Sequence, residues 1–167
     1  LIKKYQKNIL ECTRQFAYSK DIKNSIDMVL LLNGIPIVAI ELKNQFTGQD
    51  VNDSIEQWKT NRNPKEPLFH FDNRILAYFG CDLYEAAMAT ELKGEKTFFM
   101  PFNQGSNGAG EVGGAGNLQR DDNEYVTSYL WKNVLCRDVL LAILQRYIMC
   151  QEETKISLIV DKHGKEK

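Results

Sequence analysis

The sequence predicts an α/β domain: a mixed β-sheet core flanked by helices. Three observations carry that expectation. Residues 25–44, SIDMVLLLNGIPIVAIELKN, hold two apolar runs around Asn33-Gly34, the strongest short hairpin signal a sequence offers. Over residues 49–61 the apolar spacing then lengthens to that of a helix, with Val51, Ile55 and Trp58 on one face. Three further strand-like runs follow, and the last part of the chain returns to helical spacing.

Taken in order, Ile2, Tyr5 and Ile9 hold a weak helical spacing. Leu10, Cys12, Phe16 and Tyr18 then fall on one parity, which favours a strand leading into the hairpin. Asp50 stands where a helix needs an N-cap, and Pro64 and Pro67 end that helix. Residues 74–81, 84–92 and 97–102 read as strands, the first two joined by a tight turn at Asp82-Leu83. Residues 103–117 read as a flexible surface loop and contain six of the eleven glycines. Residues 127–150 read as two helices broken near Arg137-Asp138, whose apolar positions serve core or interdomain packing. Residues 155–160 alternate weakly, as a last strand or a linker does. The domain expected over residues 1–126 is thus followed by a helical segment over 127–167, with no internal repeat.

A chain of 167 residues with 43% apolar and 26% charged side chains can bury a sizeable core and is not disordered over most of its length. Its formal net charge of -1 argues against a self-sufficient DNA-binding module and leaves that task to a local patch or a partner's charge. The apolar runs at 28–32 and 35–40 are far too short to cross a bilayer, and the start shows no secretory pattern. Cys12, Cys81, Cys136 and Cys150 form no CxxC pair, so they read as small apolar packing residues in a reducing cytoplasm. His70 and His163 are too far apart in sequence to suggest a ligand pair.

The charges at the open end of the hairpin raise a chemical question. Side chains alternate across a strand, so Glu41 and Lys43 share a face while Ile40 and Leu42 point the other way. By itself E-x-K reads as solvated charge at a strand end. Asp27 changes that reading, because the hairpin brings it back beside Glu41, and adjacent carboxylates resist joint ionisation. A divalent cation relieves the conflict, and an all-oxygen set of Asp27, Glu41 and the backbone carbonyl of Leu42 suits Mg²⁺. With Lys43 beside it to neutralise developing phosphate charge, the pattern D-x13-E-x-K reads as a nuclease site. A regular two-residue turn, however, would set Asp27 opposite Ile40 and on the wrong face for Glu41. The spacing therefore predicts one extra residue, as a three-residue loop or a glycine bulge at Gly34.

Two stretches imitate functional motifs. Asp82…Glu91-Leu92-Lys93 also spells D…E-x-K, but an apolar strand follows it where the site needs a helix, so Glu91 and Lys93 read as an exposed turn. Residues 108–113 spell GxGxxG without the strand before or the helix after that a dinucleotide site requires. No GxxxxGK[ST] occurs, hence no ATP-binding P-loop.

Five collinear blocks carry a family likeness: IDMVLLLNGIPIVAIELKN, SIEQWK, EPLFHFDNRILAYFG, KTFFMPFNQG with GAGN, and TSYLWKNVLCRDVLLAILQRYI. Through them the chain resembles the N-terminal nuclease domain of the restriction (R) subunit of type I restriction enzymes, within the PD-(D/E)xK superfamily. The resemblance implies a restriction-endonuclease-like fold, with Asp27 and Glu41 as metal ligands and Lys43 as the catalytic lysine. It also implies a glutamine near the site in a Gln-x-x-x-Tyr motif. Gln57 matches, whereas Asn61 stands at the tyrosine position and shares a helix face with Gln57. The flanks of the glycine loop resemble a family signature, which implies contact with DNA or the motor domains.

The function expected on these grounds is Mg²⁺-dependent hydrolysis of duplex DNA in the cytoplasm. ATP would act only through motor domains outside this chain, and methylase and specificity subunits would be the partners. The chain starts without methionine and ends in a charged run, as a piece of a longer protein does. Two alternatives stand beside this expectation: a non-catalytic docking module that kept the fold, and a solitary repair or recombination nuclease of the same superfamily. Motor motifs downstream of Lys167 in the same gene would exclude the solitary enzyme.

Overall fold

The structure is a computed structural model that describes residues 5–19, 23–71, 73–105, 115–118 and 123–149. The expected GxGxxG stretch and the weakly alternating run at 155–160 lie outside the described residues. Six strands form one sheet in sequence order: β1 (Leu10–Ala17), β2 (Ser25–Leu32), β3 (Ile35–Leu42), β4 (Ala77–Cys81), β5 (Ala86–Ala89) and β6 (Met100–Pro101). Every neighbouring pair is antiparallel except β3 and β4, which run parallel. That one parallel pair requires a crossover, and helix α1 (Val51–Thr60) supplies it. The crossover lays α1 against β3, β4 and β5.

Local sequence explains where α1 begins. The Asp50 carboxylate accepts hydrogen bonds from the Asn52 and Asp53 amides at 2.8 and 3.3 Å, and the Asp53 carboxylate accepts in return from the Asp50 amide at 2.8 Å. The Asp82 carboxylate, at the end of β4, accepts from the Val51 amide at 2.9 Å. Carboxylates thus meet the positive end of the helix from its own cap and from the sheet. Trp58 is wholly buried and its indole N–H donates to the Phe79 carbonyl at 2.9 Å. Gly80 permits the close approach, since a Cβ there would lie 2.1 Å from the Ser54 hydroxyl oxygen.

The sheet carries a core on each face. Ile26, Val29, Ala39, Trp58, Leu68, Phe69, Ile75, Tyr78 and Leu92 form one, on the α1 side. Leu30, Val38, Ile40 and Phe79 pack on the other side with Tyr129, Leu130, Leu135 and Leu140. Leu130 lies in a π-helical turn (Leu130–Val134) that Tyr129 and Leu135 flank, and Leu140 lies in helix α2 (Arg137–Arg146). The helical break falls at Leu135-Cys136, just before the expected Arg137-Asp138.

Several boundaries differ from expectation. The three later strands are shorter than their apolar runs, β6 being only two residues long. Their partners set the length: β4 pairs with β5 over only four residues, because the chain turns away at Asp82, whose side chain accepts from the Tyr84 and Glu85 amides at 2.7 Å each. Among the cysteines, Cys81 is buried as expected, whereas Cys12 is exposed.

Candidate active site

The hairpin supplies its extra residue in an unexpected place. Asn33 and Gly34 alone form the turn, with φ of 52° and 80°, the left-handed pair a two-residue type I′ turn needs. Leu32 pairs with Ile35 and Leu31 with Pro36, but Leu30 pairs with Val38, leaving Ile37 as a bulge in β3. The expected loop or glycine bulge at Gly34 is therefore corrected to a bulge beside Pro36. Proline has no amide hydrogen to continue the ladder, so the irregularity falls next to it. Beyond the bulge the ladder ends with Met28 paired to Ile40, and one further step in that register sets Asp27 beside Glu41. The Asp27 carboxylate also accepts from the Leu42 amide at 2.8 Å, which ties it to β3.

Glu41 is completely buried, and both its carboxylate oxygens are engaged. Arg62 donates to Oε1 through its Nε at 2.9 Å and through a second guanidinium nitrogen. Gln57, on α1, donates its amide to Oε2 at 2.9 Å. The oxygen of the same Gln57 amide accepts from the Lys43 ammonium at 2.5 Å. One glutamine therefore bridges Glu41 and Lys43, and that bridge is what the parallel crossover delivers to the hairpin. Burial pushes the Glu41 carboxyl up to about 7, against the downward pull of Arg62, and Asp27 adds to the rise. Glu41 in turn helps hold the Arg62 guanidinium protonated.

Asp27 is half-buried and more accessible. Its second oxygen accepts from the Gln15 side chain at 3.1 Å, while Ser25 donates to the Gln15 oxygen at 2.8 Å. Gln15 has a φ of 50° within β1, and strained backbone of this kind persists where surrounding contacts hold it. A cleft of about 360 Å³ lined by Arg14, Gln15, Asp27, Met28 and Leu42 opens beside it.

The donor set fits a small, hard divalent ion. Asp27 raises the Glu41 pKa both through its charge and through a side-chain hydrogen bond, the like-charge conflict that a cation relieves. Among the described residues no group of three or more His, Cys, Asp and Glu gathers to hold a metal, so an ion here would need backbone or water oxygen beside the two carboxylates. The N–H and C=O of one residue point to the same side of a strand. The Leu42 carbonyl therefore faces the side on which its amide meets Asp27. Such all-oxygen donors with room for water suit Mg²⁺.

The structure brings Asp27, Glu41, Lys43 and Gln57 together. Asn61, by contrast, caps the C-terminal end of α1, is exposed, and accepts from the Thr60 hydroxyl at 3.1 Å. Glu91 and Lys93 pair with each other at 2.7 Å while partly exposed, as expected of a turn. Arg62 is the residue that sequence reasoning missed. Its nearest signal was an arginine one position beyond an apolar-faced helix, which usually means a solvated charge near the C-terminal dipole.

A mixed sheet crossed by one helix on a parallel pair, with helical elements on both faces, is an α/β fold of the restriction-endonuclease-like class. The family described as the type I restriction enzyme R protein N terminus matches residues 2–103, and the chain belongs to it. No curated protein and no solved structure matches the chain.

Proposed function

We propose that this chain is the Mg²⁺-dependent endonuclease domain of a type I restriction R subunit, hydrolysing phosphodiesters of duplex DNA. The observation that carries the proposal is the convergence of Asp27, Glu41, Lys43 and Gln57: Gln57 joins Glu41 to Lys43 by hydrogen bonds, and Asp27 is tied to the amide of Leu42 between them. Asp27, Glu41 and the Leu42 carbonyl would hold the ion, which when bound supplies Lewis acidity towards phosphate and water. Lys43 presents a fixed positive charge to a phosphate oxygen as negative charge develops there. Gln57 keeps the Lys43 ammonium from wandering and fixes the Glu41 carboxylate in one rotamer. The half-buried Asp27 marks the side from which DNA approaches, and Glu41 lies behind it in the protein.

ATP-driven translocation belongs in this proposal to motor domains outside this chain, and sequence recognition to methylase and specificity subunits. No helix among the described residues is long and apolar enough to cross a membrane. The test is plasmid cleavage by the full R subunit assembled with those partners. Cleavage that requires Mg²⁺ and disappears in Asp27→Asn is the expected result. Undiminished cleavage by Asp27→Asn would instead leave this fold as a docking module.

A further inference from the structure

Arg62 is the first residue past the C-cap of α1, yet its side chain is only 3% exposed. The chain turns it inward beneath the helix. Its guanidinium carbon lies 5.5 Å from the Tyr18 ring centroid and 5.8 Å from that of Trp58. Besides Glu41, the guanidinium donates to the Ser25 carbonyl at 2.8 Å and to the Tyr18 hydroxyl at 3.3 Å. Ser25 stands two residues before Asp27 on β2, and Glu41 stands on β3. A single planar group therefore spans the two strands that carry the carboxylates. An ammonium is a point charge and cannot match this fork of donors while lying against two rings. Arg62 takes Oε1 of Glu41 only, so Oε2, which accepts one bond from Gln57, keeps a further lone pair.

We propose that Arg62 is a positioning residue for the metal site, clamping Glu41 to the Ser25 backbone so that its carboxylate stands beside Asp27 in one orientation. The inference rests on the metal-dependent reading above. Groups that orient a metal ligand from outside commonly change affinity by about 10–100-fold when removed. The same size of effect is expected for Arg62→Lys, which keeps the charge and loses the fork.

The test is calorimetric titration of the whole 167-residue chain with Mn²⁺, in wild type, Arg62→Lys, Glu41→Gln and the double variant, with far-ultraviolet circular dichroism reporting folding. Arg62→Lys should weaken binding in the wild-type background and change nothing once Glu41→Gln is present, because it acts through that carboxylate. An unchanged or tighter Mn²⁺ affinity in Arg62→Lys overturns the proposal, as does an equal loss in both backgrounds, which marks a merely structural role. If Arg62→Lys fails to fold, Tyr18→Phe takes its place, since it removes one contact of the guanidinium and leaves the ion pair. It should lower affinity a few-fold in the wild-type background alone, and no change there overturns the clamp. A wild-type chain that binds no Mn²⁺ overturns the metal-dependent reading and the clamp together. Wild-type binding with an indifferent Arg62 overturns only the clamp.

Discussion

Asp27 comes beside Glu41, one step past the Met28–Ile40 pair, because β3 carries one more residue than β2 between the turn and the carboxylates. The extra residue is Ile37, bulged between Pro36 and Val38. A regular ladder would have turned the two acids to opposite faces of the sheet. With the bulge, Asp27 comes close enough to Glu41 to raise its pKa, while Gln57 reaches Glu41 from α1.

The ligands and the lysine should separate in a metal titration. Asp27→Asn and Glu41→Gln each remove a negative oxygen donor, so both should weaken Mg²⁺ or Mn²⁺ binding and abolish cutting. Lys43→Ala removes a positive charge near the ion, so binding should persist or tighten while cutting is lost. Translocation and ATP hydrolysis by the full subunit should survive all three. Normal cutting by Lys43→Ala in the assembled enzyme would refute its assignment.

Gln57→Ala should leave the fold intact, because the side chain is only half-buried and α1 is held by its caps and by Trp58. It frees Lys43 and Oε2 of Glu41, whose Oε1 Arg62 still holds. Cleavage should fall by ~10–100-fold with a much smaller change in metal affinity. Plasmid cleavage beside calorimetry on the same variant decides this, and wild-type cleavage would make Gln57 an ordinary helix residue.

Stability of the metal-free chain should depend on pH through Glu41. Its carboxyl titrates at about 7 in the folded chain, against 4.5 as the ordinary value taken for the unfolded one. The folded state therefore binds the proton more tightly. This contribution is complete below the unfolded value and is lost as pH rises through the folded one. Thermal melts in EDTA should show a falling midpoint across that window, and Glu41→Gln should flatten it. A midpoint rising with pH would show that Arg62 outweighs burial, and an unchanged slope in Glu41→Gln would show that the dependence comes from another group.

Gly80→Ala tests the closeness of α1 to the sheet. The new methyl would sit 2.1 Å from Ser54 Oγ and 3.1 Å from Ser54 Cβ, overpacking that typically costs about 1–3 kcal/mol. Ser54→Gly should lower the stability of wild type, because glycine weakens a helix, yet raise that of the Gly80→Ala chain. Urea denaturation of the four chains measures this, and simple additivity would mean the helix can move away freely.

What the sequence determined by itself was local. Asn33-Gly34 dictates a left-handed turn, Asp50 and Asp53 dictate where α1 starts, and alternation puts Glu41 and Lys43 on one face. Each of these follows from torsional preferences and hydrogen bonds within a few residues. The spacing also showed that Asp27 needed one extra residue to meet Glu41, but not where that residue would go. Only the tertiary structure decided that Ile37 would bulge, since this depends on which amides β2 offers beside Pro36. It also decided that β4, β5 and β6 would be short, because a strand lasts only as long as its neighbour does. Most of all, it decided the fate of Arg62. Burying a guanidinium is unfavourable unless acceptors converge on it, and its acceptors come from Tyr18, Ser25 and Glu41. No spacing along the chain announces that meeting, because the groups come together only when β2, β3 and α1 have closed around the same point.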